Sequence, residues 1–431
     1  MGSNLRPISS LLLGVAFLLA GSGLQFTLLP LRGTYEGFSA LSLGLIGSAY
    51  YIGFVVGCLL GPYLILRAGH IRAFSAMTAL AVTVSLAYPL ITDAGAWTLF
   101  RLVTGFCIAG FYLVIESWLN DRTSNDNRGL VMSAYVMVNF LALTVGQLMV
   151  SLYPIEHAGN FILSAMLASL AIVPVALTRS AQPAPITIVT FRPGDLYRAA
   201  PAGLVAAFVI GIANGAFWSL APISAAGGGL NVGQVALFMS AATIAGAIAQ
   251  WPIGRLSDRF DRRIVLLGSL VVAVVSGLCL WKAPAGELGL VGFAMLFGAS
   301  TLPGYSLAAA HAYDKTDSSN MVATAATILL ANALGASIGP FLAAMMMHGA
   351  GPRSLFLFTA ITQALLATYI LYRRTVQPSL SMPEKTDFDL AATAPVGAIV
   401  PTEVLDPADP SVVAPEPPPV DQNQSSTVRA P

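Results

Sequence analysis

Few side chains in this sequence can do chemistry, and they are set among long apolar runs. The densest group is Gly254-Arg255-Leu256-Ser257-Asp258-Arg259-Phe260-Asp261-Arg262-Arg263. Its chemistry is ion pairing. Asp258 is the acid among the bases Arg259, Arg262 and Arg263, and it also suits a helix N-terminus, where the macrodipole favours an anion. Asp314 is a partner for Arg262 or Arg263. Earlier in the chain, Glu116 is expected to pair in the same way with Arg67, Arg72 or Arg128. Such pairs would hold neighbouring helices in one state and break in another. The plainer reading is that the arginines only set membrane topology. Arg101 stands alone inside an apolar run. A cation at the centre of a span costs ~2.5–3.5 kcal/mol on insertion scales, so Arg101 must face a cavity, take part in proton transfer or snorkel to an interface.

A second group can bind without reacting. Gln25, Asn139, Asn214, Gln250 and Asn332 are amides in apolar tracts, and Tyr50, Trp218 and Tyr305 are amphipathic aromatics. Asn214 and Trp218 are four apart and share a helix face. Amides with aromatics suit a sizeable neutral or weakly charged ligand. Each of them also suits a structural role, as interhelical glue or an interfacial ring. Titratable candidates for moving a proton are Glu116 and His311.

Other chemistries find no support. His70, His157, His311 and His348 are scattered, and there is no H-E-x-x-H pair or phosphate-binding G-x-x-x-x-G-K-[ST] loop. Cys58, Cys107 and Cys279 lie in apolar blocks and read as buried thiols. No metal, cofactor or catalytic residue is expected. A net charge of +1 gives no sign of a nucleic-acid partner.

The elements that position these residues are membrane spans. Hydrophobic residues make up 56% of the 431, and charged residues only 10%, against roughly 25% in a soluble domain. Twelve blocks are long enough to cross a bilayer: 8–29, 40–66, 73–92, 97–119, 130–153, 161–177, 202–223, 234–253, 264–280, 288–310, 321–347 and 355–372. Lipid leaves backbone polar groups no partner outside the segment, so each must be helical. The first block is too long for a signal peptide and is expected to be retained. With the N-terminus inside, 17 of the 21 basic residues fall on the inner side, which predicts cytoplasmic termini.

Residues 1–178 and 202–373 then form two six-helix bundles, with 179–201 as a cytoplasmic linker. Residues 374–431 are rich in Pro, Ala and acids and are expected to be a disordered tail. The halves also repeat. A shift of 193 residues lays Gly61 on Gly254, and Asn139, Leu141 and Gly146 on Asn332, Leu334 and Gly339. A parallel repeat of this kind implies a pseudo-twofold axis along the membrane normal.

The loop from Gly254 to Arg263 resembles the G-x-L-x-D-R-x-G-R-R signature of the major facilitator superfamily, with Asp261 where the pattern has Gly. The loop after the second span, Arg67-Ala68-Gly69-His70-Ile71-Arg72, is a degraded copy with Leu66 in place of the acid. Arg101 to Gly105 resembles the R-x-x-x-G motif of the same superfamily. Glu116-Ser117-Trp118-Leu119-Asn120, Arg128-Gly129 and Gly146-Gln147 are similar to the YcaD-like bacterial branch. The resemblance implies an all-α inner-membrane transporter working by alternating access around a midplane site. Its expected partners are a small-molecule substrate, protons and the lipid bilayer, and it is expected to act as a monomer. Proton-coupled efflux of amphipathic or sugar-like compounds, uptake by the same fold, and a membrane-embedded receptor or enzyme all stay open.

Overall fold

The computed structural model of the chain describes residues 5–123, 125–176, 191–282, 287–317 and 320–376. The expected tail and most of the expected linker lie outside these residues. Among the described residues, twelve helices are long and apolar enough to cross a membrane. They are α1 (Ser9–Tyr35), α2 (Ala40–Ala68), α3 (His70–Ala87), α4 (Ala94–Asp121), α5 (Gly129–Leu152), α6 (Gly159–Ala176), α7 (Pro201–Gly227), α8 (Val232–Arg259), α9 (Arg262–Lys282), α10 (Gly289–Tyr313), α11 (Met321–Ala350) and α12 (Ser354–Val376). A short helix, Pro193–Ala199, precedes α7 inside the stretch expected to be a plain linker.

Helix ends are set by local chemistry. The Ser39 hydroxyl accepts from Ser42 N to start α2, and the Asp93 carboxylate accepts from Ala96 N to start α4. Asn231 and Gln234 make a reciprocal capping box at α8. Gly69, at φ 82°, makes the sharp turn between α2 and α3. The cap at Asp93 starts α4 earlier than the apolar block at residue 97, so Arg101 is about two turns into the helix. In α10 the helix breaks at Leu302, just ahead of Pro303, where the proline ring and missing N–H interrupt the ladder.

The repeat is deeper than two sequence tracts. A Cβ added to Gly53 would lie 1.9 Å from Leu102 O, and one on Gly105 would lie 1.9 Å from Tyr50 O. Of their mates 193 residues on, Gly298 meets the backbone at Ala242 O at 2.1 Å, while Gly246 meets the Leu302 side chain at 2.2 Å. Gly146 and Gly339 likewise meet Ala20 O and Ile212 O, both at 2.0 Å. Such approaches need glycine, and close backbone packing is what holds helices together in lipid, where apolar burial gives little drive. α2–α4 with α1–α5, and α8–α10 with α7–α11, are thus two copies of one packing scheme.

Since each span reverses the chain, the turns carrying Arg67, Arg72, Arg255, Arg259 and Lys315 share one end of the bundle, the basic end. The two halves touch at the other end. Gly44 packs on Ala344 and Pro340, and Gly47 on Ser219 and Pro340. Ser240 Oγ donates to Thr144 O at 3.4 Å, and Thr243 Oγ1 to Gln147 Oε1 at 3.1 Å. At the basic end Phe191 packs on a core made mainly by α1–α5, while Arg192 N donates to Thr327 Oγ1 of α11 at 3.1 Å.

Candidate functional site

The halves enclose a cavity of about 300 Å³ between them. α1, α2, α4 and α5 line it from one side and α7, α8, α10 and α11 from the other. Of the residues expected to bind substrate, Tyr50, Asn139, Asn214, Trp218, Gln250, Tyr305 and Asn332 all stand in its wall. The repeat mates Asn139 and Asn332 face it from opposite halves. Phe26, Tyr51, Phe54, Tyr112 and Phe140 add aromatic surface. Among the described residues that line it there is no Asp, Glu, Lys or Arg.

Two expected binders are placed elsewhere. Gln25 is 5% exposed and donates to Ser85 Oγ at 2.7 Å and Ser164 Oγ at 2.9 Å. It therefore ties α1 to α3 and α6. Arg101 is 4% exposed, which excludes snorkelling. Its guanidinium carbon lies 4.5 Å from the Tyr50 ring centre and 5.0 Å from that of Phe26. Phe26 in turn meets Trp218 of the other half at 6.2 Å. Arg101 thus stands behind the aromatic wall, attracted to ring faces by cation–π forces worth ~0.5–2 kcal/mol.

The amides hold unspent hydrogen-bonding capacity. Asn139 Oδ1 and Asn214 Oδ1 have no partner within the protein, so both can accept a hydrogen bond from a molecule in the cavity. Asn332 Nδ2 is used structurally, donating to Ala207 O at 2.9 Å. Asn139 stands one helical turn from Tyr135 on α5, and the Tyr135 hydroxyl donates to Glu116 Oε1 at 2.8 Å. Glu116 is fully buried, one layer behind the cavity wall. Arg67 and Arg72 are exposed at the basic end. The Arg128 side chain lies outside the described residues.

The second-half charges do assemble. Arg262 Nε and Nη2 donate to the two oxygens of Asp314 at 2.6 and 3.1 Å, with both side chains nearly inaccessible. Asp258 pairs with Arg262 at 3.7 Å. Arg263 grips Asp261 at 2.9 Å. These contacts brace α8, α9 and α10 of one half. Asp261, the departure from the signature, also caps α9 by accepting from Arg263 N at 2.9 Å. Partial burial pushes its carboxyl up, but the Arg263 hydrogen bonds and charge outweigh this and hold it below the usual value. Arg259 is exposed. His311 is buried beside Arg262 and Arg263, away from the central cavity.

Sequence reasoning passed over His70. It occupies the place of Arg263 in the repeat, bonds Ser117 Oγ at 3.1 Å and stacks on Trp118. The shift of 193 residues was the signal that marks it.

Twelve apolar helices in two repeated halves around a shared cavity define a multi-pass membrane carrier. The chain belongs to the Major Facilitator Superfamily, whose family model matches residues 11–198 and 203–408. Among its relatives is the uncharacterized MFS-type transporter YcaD of Escherichia fergusonii, 28% identical over 357 residues, 82% of this chain and 92% of that protein. An uncharacterized MFS-type transporter of Enterobacter sp. (strain 638) is 27% identical over 381 residues, 88% and 99% of the two chains. The fold is similar to a crystal structure of the nucleoside transporter NupG, with TM-score 0.73 and 14% identity over 85% of this chain and 99% of that one. It is also similar to an inward-facing, unoccupied bacterial homolog of the human lysosomal transporter Spinster, with TM-score 0.71 and 15% identity over 88% and 99%. These proteins are transporters and not enzymes.

Proposed function

We propose that this protein is a proton-coupled exporter of small amphipathic, ring-bearing organic molecules across the inner membrane, acting as a monomer by alternating access. The observation that carries the reading is the shared cavity, walled by aromatics and amides of both halves and free of charged lining residues. Rocking of residues 1–178 against 202–373 would open it to each side in turn. Direction follows from the ligand. An amphipathic compound crosses lipid inward unaided, so a carrier does work on it only by moving it out.

Coupling is assigned to Glu116, which accepts from the Tyr135 hydroxyl, with Asn139 one helical turn from Tyr135 in the cavity wall. A substrate donor engages Asn139 Oδ1, and a proton occupies Glu116. Each changes the affinity for its counterpart, as linkage requires. Arg101 holds Tyr50 and Phe26 in place and so shapes the wall.

The test is counterflow in proteoliposomes over a panel of amphipathic aromatics and sugars, with and without an imposed pH gradient. Wild type should exchange at least one aromatic compound and accumulate it against the gradient. Glu116→Gln should keep exchange and lose proton-driven accumulation. Purified wild type that exchanges nothing, beside a carrier that works, would refute the reading.

A further inference from the structure

A second cavity lies outside the transport pathway. It is an apolar groove of about 490 Å³ between α8, α9 and α10, lined by residues that include Ile253, Leu256, Phe260, Gly268, Val272 and Leu296. Its rim faces outward from the bundle: Leu256 is 45%, Phe260 53% and Leu296 44% exposed. A Cβ added at Gly268 would meet nothing within 4 Å, so the groove floor is open space. Within a membrane span, water does not fill such a surface.

The groove ends on the last turns of α8 at the basic end. Arg255 and Arg259 immediately precede the lining residues Leu256 and Phe260. Both arginines are exposed, and neither makes an ion pair among the described residues. Their neighbours differ: Arg262 is met by Asp314 and Asp258, and Arg263 by Asp261. Arg255 stacks on Trp251 at 4.5 Å, and Trp251 is 63% exposed, as suits a ring at the headgroup level. The surplus positive charge therefore lies where an apolar chain in the groove would reach the membrane surface.

We infer that this groove is a binding site for an anionic phospholipid, with one acyl chain along Ile253, Gly268 and Val272 and the headgroup phosphate on Arg255 and Arg259. A lipid held there spans the joints between the three helices that the Arg262–Asp314 brace also joins.

Native mass spectrometry of the full, delipidated chain tests this, with phosphatidylglycerol and phosphatidylcholine of identical acyl chains as probes. Wild type should retain phosphatidylglycerol in preference, by about fivefold for each arginine, the effect of one basic residue near an anionic surface. Arg255→Gln/Arg259→Gln should abolish the preference while still binding both lipids, since both side chains are exposed and their loss leaves the fold intact. Gly268→Leu should displace both lipids; melting temperature and monodispersity report whether it folds. Equal retention of the two lipids by wild type would overturn the assignment. So would unchanged lipid binding in a folded Gly268→Leu protein, or a chain dimer in place of the lipid-bound species. Transport activity is not the readout, so failure here is distinct from failure of the proposed function.

Discussion

Removing Arg262 should damage the protein more than any other single charge deletion at the basic end. Its side chain is 1% exposed and that of Asp314 2%, and two hydrogen bonds at 2.6 and 3.1 Å join them. Arg262→Ala takes both of these hydrogen bonds and the neutralising charge from a buried carboxylate, a change that costs about 3–5 kcal/mol. Asp314→Ala should cost less, because Arg262 keeps Ser257 Oγ at 3.3 Å and Asp258 at 3.7 Å. Asp258 is 29% exposed, so water screens its share of the attraction. Removing both partners leaves no stranded charge and should cost less than Arg262→Ala alone. Denaturant titration in bicelles, run as a double-mutant cycle, measures all three. Singles within about 1 kcal/mol of wild type, or a double variant equal to the sum of the singles, would refute the claim of a tightly coupled buried pair.

Other outcomes follow from the same contacts. Gly105→Ala forces a methyl to 1.9 Å from Tyr50 O and must push α2 from α4, so melting temperature and transport should both fall; by the repeat, Gly298→Ala should behave alike, and wild-type behaviour of both would contradict the crossing geometry. Gln25→Ala should lower stability by about 0.6–1.7 kcal/mol, the range for interhelical hydrogen bonds in membranes, and leave substrate range unchanged; an altered range would return Gln25 to the site. Arg101→Ala should reduce counterflow more than Arg101→Lys, which keeps the cation over the Tyr50 and Phe26 rings; equal wild-type rates for both would dismiss the cation–π account. Asp261 binds its proton less readily when folded, so its stabilisation is complete above the ordinary carboxylate value and is lost as pH falls through the lower folded value. Melting scans of wild type and Asp261→Asn should therefore converge at acid pH, and a constant gap would contradict that sign.

Much of the architecture was legible in the sequence because lipid permits one answer. An apolar run of span length must be a helix, and a one-sided arginine bias pairs the runs into hairpins. Position within a span was less legible. The apolar block from residue 97 leaves Arg101 about one turn from its start, but the helix begins at an Asp93 cap that apolarity does not mark. Azimuth was harder still. Gln25 and Asn139 are both lone amides in apolar tracts, yet one meets Ser85 and Ser164 while the other lines the cavity. Spans that are apolar all round carry no stripe to show which side faces in. For the same reason Phe26, Phe54 and Tyr112 gave no contrast against their neighbours. Asp258 and Arg262 were legible as partners in kind, but their choice of Asp314 and of each other depended on where the turn folds.

The central claim is that the two halves separate at the end opposite the basic one during each cycle. In a protein lacking Cys58, Cys107 and Cys279, cysteines at Gln147 and Thr243, whose side chains now touch at 3.1 Å, can be bridged by a short, reducible thiol cross-linker. Counterflow should stop in the cross-linked protein and return on reduction. Undiminished exchange by fully cross-linked protein would contradict the account.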